Sequence, residues 1–143
     1  MLLEVGYSAK IRIYKNTNNT FTLFQTLTPS DGSSRARAGA ITDDHEWVVF
    51  GTRYSTRVVD VYKFDGEEYK LNQTIVIGTS VRSIALTQDH SFLVVGIYGY
   101  YVYVYKHNGT QFNHFQNFTY STGYEKFVSI TDDHQYLTVA GSG

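Results

Sequence analysis

Val81-Arg82-Ser83-Ile84-Ala85-Leu86-Thr87-Gln88-Asp89-His90-Ser91-Phe92-Leu93-Val94-Val95-Gly96-Ile97 is the stretch that decides the fold. It reads as a strand over Val81 to Thr87, a turn over Gln88 to Ser91 and a second strand over Phe92 to Ile97. The second strand is apolar almost throughout, as a strand covered on both faces should be. The turn phrase, Thr-x-Asp-His after Ile or Leu, occurs twice more. It stands at Ile41-Thr42-Asp43-Asp44-His45 and at Ile130-Thr131-Asp132-Asp133-His134, so the three histidines are 45 and 44 residues apart. A fixed period of about 40–45 residues filled with short strands marks a β-propeller with one blade per repeat.

The rest of the repeat completes a four-stranded unit. Tyr101 to Lys106 alternates strictly and reads as a third strand. Phe112 to Phe118 reads as a fourth. The other repeats fall into register. Their second strands are Leu3-Glu4-Val5-Gly6, Val48-Val49-Phe50-Gly51 and Leu137-Thr138-Val139-Ala140, and their third strands end in Ile13-Tyr14-Lys15 and Val61-Tyr62-Lys63. Fourth strands run from Phe21 to Leu27 and from Tyr69 to Ile75, with Gln25, Gln73 and Gln116 at one common position. Thr17-Asn18, Asp65-Gly66 and Asn108-Gly109 follow the third strands, and such pairs suit two-residue hairpin turns with positive φ. The expected fold class is therefore all-β, a partial β-propeller of about three four-stranded antiparallel blades. The repeats run approximately over 3–47, 48–92 and 93–136, with a partial repeat over 137–143.

Composition agrees. Of 143 residues, 42% are hydrophobic and 17% charged, and the 13 Tyr and 9 Phe favour strands. Twelve basic residues face 13 acidic ones, which gives no basic excess for nucleic acid. No run approaches the roughly 18 apolar residues of a membrane span. The absence of cysteine excludes disulfides and favours a cytoplasmic home.

The repeat resembles the WD40 class of propellers. Val81-Arg82-Ser83-Ile84-Ala85-Leu86 matches the first-strand pattern of that class, Thr-x-Asp-His takes its turn, and Tyr-Lys takes the place of its Trp-Asp. The resemblance implies a protein-interaction scaffold. Propellers close with roughly four to eight blades, so about three blades leave open faces. The expected partners are proteins, among them further blades of the same polypeptide or copies of this chain.

Several residues bear on function. His45, His90 and His134 suggest a metal ring, but neighbouring sheets lie about 10 Å apart, so equivalent turns cannot converge on one ion. They read instead as turn residues at positive φ, where His is enriched. Asp44, Asp89 and Asp133 read as turn residues bonding their own backbone. Trp47 reads as core. Arg37, Arg82 and Lys126 recur at one position, the entry of each first strand, where they form a positive arc for an acidic partner or else keep strand ends solvated. Tyr98 and Tyr100 open a tyrosine-rich segment suited to recognition, while Tyr101, Tyr103 and Tyr105 alternate with valines as blade packing does. Asn18, Asn72, Asn108 and Asn117 each begin an Asn-x-Thr sequon. No nucleophile elbow, phosphate-binding glycine loop or zinc spacing is present, so the expectation is no catalytic residue, no cofactor, no metal and no enzyme. The leading reading is a scaffold. The alternatives are an extracellular or luminal lectin-like ligand binder and a structural segment of a large assembly.

Overall fold

Short turns join strands that pair only with their sequence neighbours, so the chain folds as a series of antiparallel meanders. The computed structural model describes residues 1–5, 10–32, 35–120 and 124–142; Gly6, which the sequence placed in a second strand, lies outside them. The first sheet holds β1 (Leu2–Val5), β2 (Ile11–Thr17) and β3 (Thr20–Leu27). The second holds β4 (Ala36–Ile41), β5 (Trp47–Thr52), β6 (Val58–Phe64) and β7 (Tyr69–Val76). The third holds β8 (Val81–Leu86), β9 (Phe92–Ile97), β10 (Tyr101–His107) and β11 (Phe112–Thr119). The last pairs β12 (Glu125–Ile130) with β13 (Leu137–Ser142). The protein is all-β, with an arrangement compatible with part of a propeller.

Alternation explains how the sheets stack. In β5, Val48 and Phe50 pack toward the first sheet, whereas Trp47 and Val49 pack toward the third. In β10, Val102 and Val104 pack with Val128 and Val139 of the last sheet, while Tyr103 and Tyr105 join the core shared with Val59 and Val61. Adjacent side chains on a strand face opposite ways, so one strand serves two interfaces. Gly51 and Gly96 mark close approaches between sheets, since an added Cβ would lie 2.3 Å from Val81 Cγ1 at the first and 2.7 Å from the Lys126 carbonyl oxygen at the second.

The Thr-x-Asp-His turn works through its side chains. The Thr42, Thr87 and Thr131 hydroxyls accept the N–H of Trp47, Phe92 and Tyr136 at 3.1, 3.0 and 3.1 Å. Asp44, Asp89 and Asp133 accept the N–H of the residue two further on. His45, His90 and His134 have φ of 64°, 50° and 61°. Each turn also grips its neighbour. His90 packs on Trp47 at 5.3 Å and His134 on Phe92 at 5.1 Å, and successive turns also bond one another: Gln88 accepts the Asp43 N–H, Asp132 accepts the Gln88 N–H at 3.0 Å, and His134 Nε2 lies 3.1 Å from Asp89. Among the described residues no group of three or more His, Cys, Asp and Glu side chains is placed to hold a metal ion.

The hairpins after the third strands differ from expectation. Thr17 pairs with Thr20, so the first turn is Asn18-Asn19, with φ of 52° and 62°. The other two are four-residue loops, Asp65–Glu68 and Asn108–Gln111, in which only Gly66 and Gly109 have positive φ. Asp65 and Asn108 side chains accept the third and fourth N–H of their loops, which makes the longer loop the better satisfied one.

The repeated glutamine joins fourth strands across blades. Gln25 accepts the Tyr69 N–H at 2.8 Å and donates to its carbonyl at 3.0 Å. Gln73 does the same to Phe112, at 2.8 and 2.7 Å. In β3, β7 and β11 the register slips just before the glutamine, at Phe24, Asn72 and Phe115. A bulge of that kind re-aims the next side chain, here toward the adjacent blade. Gln116, at the edge of the last complete blade, is exposed.

Gln73→Ala is expected to cost about 1–3 kcal/mol in urea unfolding, because it strands two backbone groups at Phe112. Gln116→Ala should change stability by less than about 0.5 kcal/mol. Equal losses in the two variants would sink the clamp. A second expectation concerns acid. Burial raises the Asp89 pKa but is outweighed by the Ser91 hydroxyl and N–H, which leave it well below the usual carboxylate range. A depressed folded pKa stabilises above the unfolded value near pH 4, and that contribution fades as pH falls below it. Asp89→Asn should therefore lower the urea midpoint at pH 7 and flatten its decline between about pH 4 and 2. A decline as steep as in the wild type would rule the turn carboxylate out as a source of acid lability.

Candidate functional site at the arginine rim

Strand direction sorts charge to two rims. First strands begin, and β5–β6 loops lie, at one rim; the Thr-x-Asp-His turns and the β6–β7 loop lie at the other. Asp43, Asp44, Glu46, Asp65, Glu67, Glu68, Asp89, Asp132 and Asp133 all fall at the turn rim. Five of the six arginines, Arg35, Arg37, Arg53, Arg57 and Arg82, fall at the opposite rim. The near-zero net charge conceals this separation.

The register explains why two of these arginines meet. β4 slips against β5 between Ala36 and Ala38, and β8 slips against β9 between Val81 and Ser83. Arg37 and Arg82 are the extra residues of those bulges. Both reach Glu125 Oε1, Arg82 Nη1 at 3.0 Å and Arg37 Nη2 at 3.2 Å. Burial and then repulsion from Arg37 hold the Arg82 guanidinium below its usual pKa; Glu125 opposes this and Arg53 adds to it. Arg82 also lies 5.0 Å from the Tyr98 ring centroid, in a cation–π contact. Beneath the arginines, Met1, Leu3, Gly39, Ile41 and Ile84 line an open groove of about 560 Å³ along the first strands.

Lys126 behaves differently. β12 pairs with β13 without a slip, so Lys126 stays in the ladder opposite Gly141. Its side chain is 0% exposed, with Nζ 4.9 Å from the Tyr120 ring centroid. The three equivalent cations therefore do not form one arc: two meet on Glu125 and the third turns inward. Tyr98 belongs to the site through Arg82. Tyr100 is exposed, and its carbonyl accepts the Tyr120 N–H at 2.7 Å. Sequence reasoning missed Arg53, Arg57 and Glu125. The missing signal was topological, since loops after second strands share a rim with the starts of first strands.

No family model and no curated protein sequence matches the chain. Solved structures do match its fold. One is a crystal structure from Bacteroides fragilis described as a "putative 6-phosphogluconolactonase", with a TM-score of 0.72 and 9% identity. The match covers 94% of this chain and 37% of that one. A protein of the same description from Bacteroides uniformis matches with a TM-score of 0.72 and 11% identity, over 94% of this chain and 38% of that one. The chain thus spans little more than a third of the length of these neighbours. They correct two expectations. The first is the reading as an interaction scaffold, with its lectin-like and assembly-segment alternatives; the second is the expectation of no enzyme, which rested on the absence of a recognised catalytic motif. The neighbours in fold carry the name of a hydrolase instead.

Glu125→Ala should leave Arg37 and Arg82 facing each other without a shared carboxylate. The melting temperature should fall, and fall further at low salt, where like charges are less screened. A variant with wild-type salt dependence would contradict the shared-carboxylate geometry.

Proposed function

We propose that this chain forms part of the channel mouth of a propeller hydrolase acting on a sugar lactone, a cyclic ester. The observation that carries the reading is Glu125 held between the two bulged arginines. Lactone hydrolysis needs three things at one place: a base for the attacking water, cationic donors for the oxyanion, and a proton for the departing alkoxide. Glu125 is the carboxylate that both arginines hold, and it takes the proton from water as the water oxygen attacks the carbonyl carbon. Arg37 and Arg82 each keep N–H groups beyond those spent on Glu125, because a guanidinium has five. Those groups face the negative charge that develops on the carbonyl oxygen. The ring C–O bond then breaks, and Glu125 returns the proton to the alkoxide. The hydrolase names of the fold neighbours support this choice of reaction. The likeness of the turns to WD40 blades describes how each blade is built and implies no substrate.

A closed channel needs further walls. We propose that these are blades of the same construction, supplied by the same polypeptide or by a second copy. A particle mass of 16.3 kDa would exclude a second copy, and a multiple of it would favour one.

The test is hydrolysis of 6-phosphogluconolactone followed by pH-stat. The protein should exceed the buffer rate, and Glu125→Gln should lower kcat by about 100-fold or more while the variant remains folded at the assay temperature. A folded Glu125→Gln variant with wild-type kcat, or a wild type no faster than buffer, would reject the hydrolase reading.

A further inference from the structure

Beside Glu125 the rim opens into a second cleft of about 430 Å³, lined by Arg53, Tyr54, Arg57, Ser80, Arg82 and Tyr98. Its charge is out of balance. Arg37 and Arg82 share Glu125, whereas neither Arg53 nor Arg57 has a carboxylate partner among the described residues. Among the described residues these four guanidiniums thus have one ion-paired carboxylate between them. Arg35 and Arg53 also flank the Tyr54 ring, at 5.7 and 5.1 Å, which keeps positive charge close to the cleft instead of letting it spread into water. Assembling like charges costs energy unless an anion completes the set.

Arg82 supplies an independent sign of a missing ligand. Its side chain is 8% exposed, and its Nε is buried without a hydrogen-bond partner among the described residues. An unpartnered buried donor on a cation is expensive and marks a place where a partner is expected. The loop that carries the other two arginines is held in place. Ser55 and Arg57 adopt φ of 60° and 56°, an uncommon conformation for such side chains. The Arg57 carbonyl accepts the N–H of Ile77 and Gly78, and Arg57 Nη1 donates to the Gly78 carbonyl at 3.3 Å. The Ser80 hydroxyl donates to the Arg53 carbonyl at 2.8 Å, and that of Thr79 to the Tyr98 carbonyl at 2.8 Å. Neighbouring loops are thereby tied around the cleft, so the arginines are positioned before any ligand arrives. Backbone that is strained and braced in this way is a pattern of ligand clamps.

We propose that this cleft is a phosphate subsite, in which Arg53, Arg57 and Arg82 bind the dianionic phosphate of a phosphomonoester. Planar guanidiniums match phosphate oxygens through paired N–H donors, and a dianion offsets the local excess better than a carboxylate does. The subsite deepens the lactonase reading, since it holds a phosphorylated sugar with its reacting ester near Glu125. It can also fail separately from that reading.

The probe is inorganic phosphate, titrated by calorimetry and by amide chemical shifts at constant ionic strength. Saturable one-site binding is expected, with shifts centred on Arg53, Arg57 and Arg82. Acetate should bind at least about tenfold more weakly, as one charge gives half the attraction of two. Arg53→Gln with Arg57→Gln should weaken phosphate about tenfold or more. Glu125→Gln should bind phosphate as well as the wild type or better, because it removes a nearby negative charge. If the double variant does not fold, Arg57→Asn serves, since Asn tolerates the left-handed backbone at that position. It should weaken phosphate by about threefold or more. Absence of saturable binding, equal affinity for acetate, or unchanged binding in the folded variants overturns the subsite. Phosphate binding without lactone hydrolysis leaves the subsite standing and removes the hydrolase reading; hydrolysis without phosphate binding does the reverse.

Discussion

A threonine hydroxyl that accepts the first N–H of the following strand is the bond on which the blades depend. Thr42 and Thr87 are buried, so the N–H groups of Trp47 and Phe92 have no water to turn to. The aspartate two residues on takes a further N–H, and the histidine after it enters the left-handed region that closes the turn. Closing the turn fixes the register of first and second strands. That register decides which face of β5 meets the first sheet and which meets the third. The same histidine then packs on the blade before it, so one short phrase sets both the blade and its neighbour.

Bulges turn this regular frame into a site. Arg37, Arg82 and Lys126 occupy equivalent places in the repeat, yet only the first two are extra residues in their ladders. A residue outside the ladder is released from strict alternation, and both arginines swing to Glu125. Lys126, paired opposite Gly141, follows the alternation inward. Glu125 in turn stands where the other blades carry Ala36 and Val81. The centre is therefore asymmetric, built from the differences between repeats rather than from what they share. Its charge follows from strand direction, which puts acidic turns at one rim and arginines at the other.

Function was the part least readable from the repeat. The turn phrase and the Tyr-Lys strand ends pointed to WD40 blades and so to a scaffold, but what those residues do is close turns and pack blades together. The residues at the proposed centre, Glu125, Arg53 and Arg57, carry no repeat signal. They sit in loops or at strand starts where any polar residue is tolerated. Arg37, Arg82 and Tyr98 were visible because two of them repeat and one lies in a tyrosine cluster; their convergence was not.

The sequence by itself determined the blade. Period, alternation, the Thr-x-Asp-His turn and the glutamine of the fourth strand are local patterns, and local hydrogen bonding and side-chain alternation are enough to read them. Even the positive φ at His45, His90 and His134 follows from their place in the turn. Hairpin length at Asp65 and Asn108 was harder, because Asp-Gly and Asn-Gly suit both a two-residue turn and the four-residue loops observed. Only the tertiary structure decided where the bulges fall, that Lys126 is buried, and that arginines from the second and third sheets share a carboxylate from the last. Each of these depends on how closely neighbouring blades approach, as at Gly96 beside the Lys126 carbonyl. That distance is set by packing between residues 30 or more positions apart, such as Gly96 and Lys126, which no local pattern records.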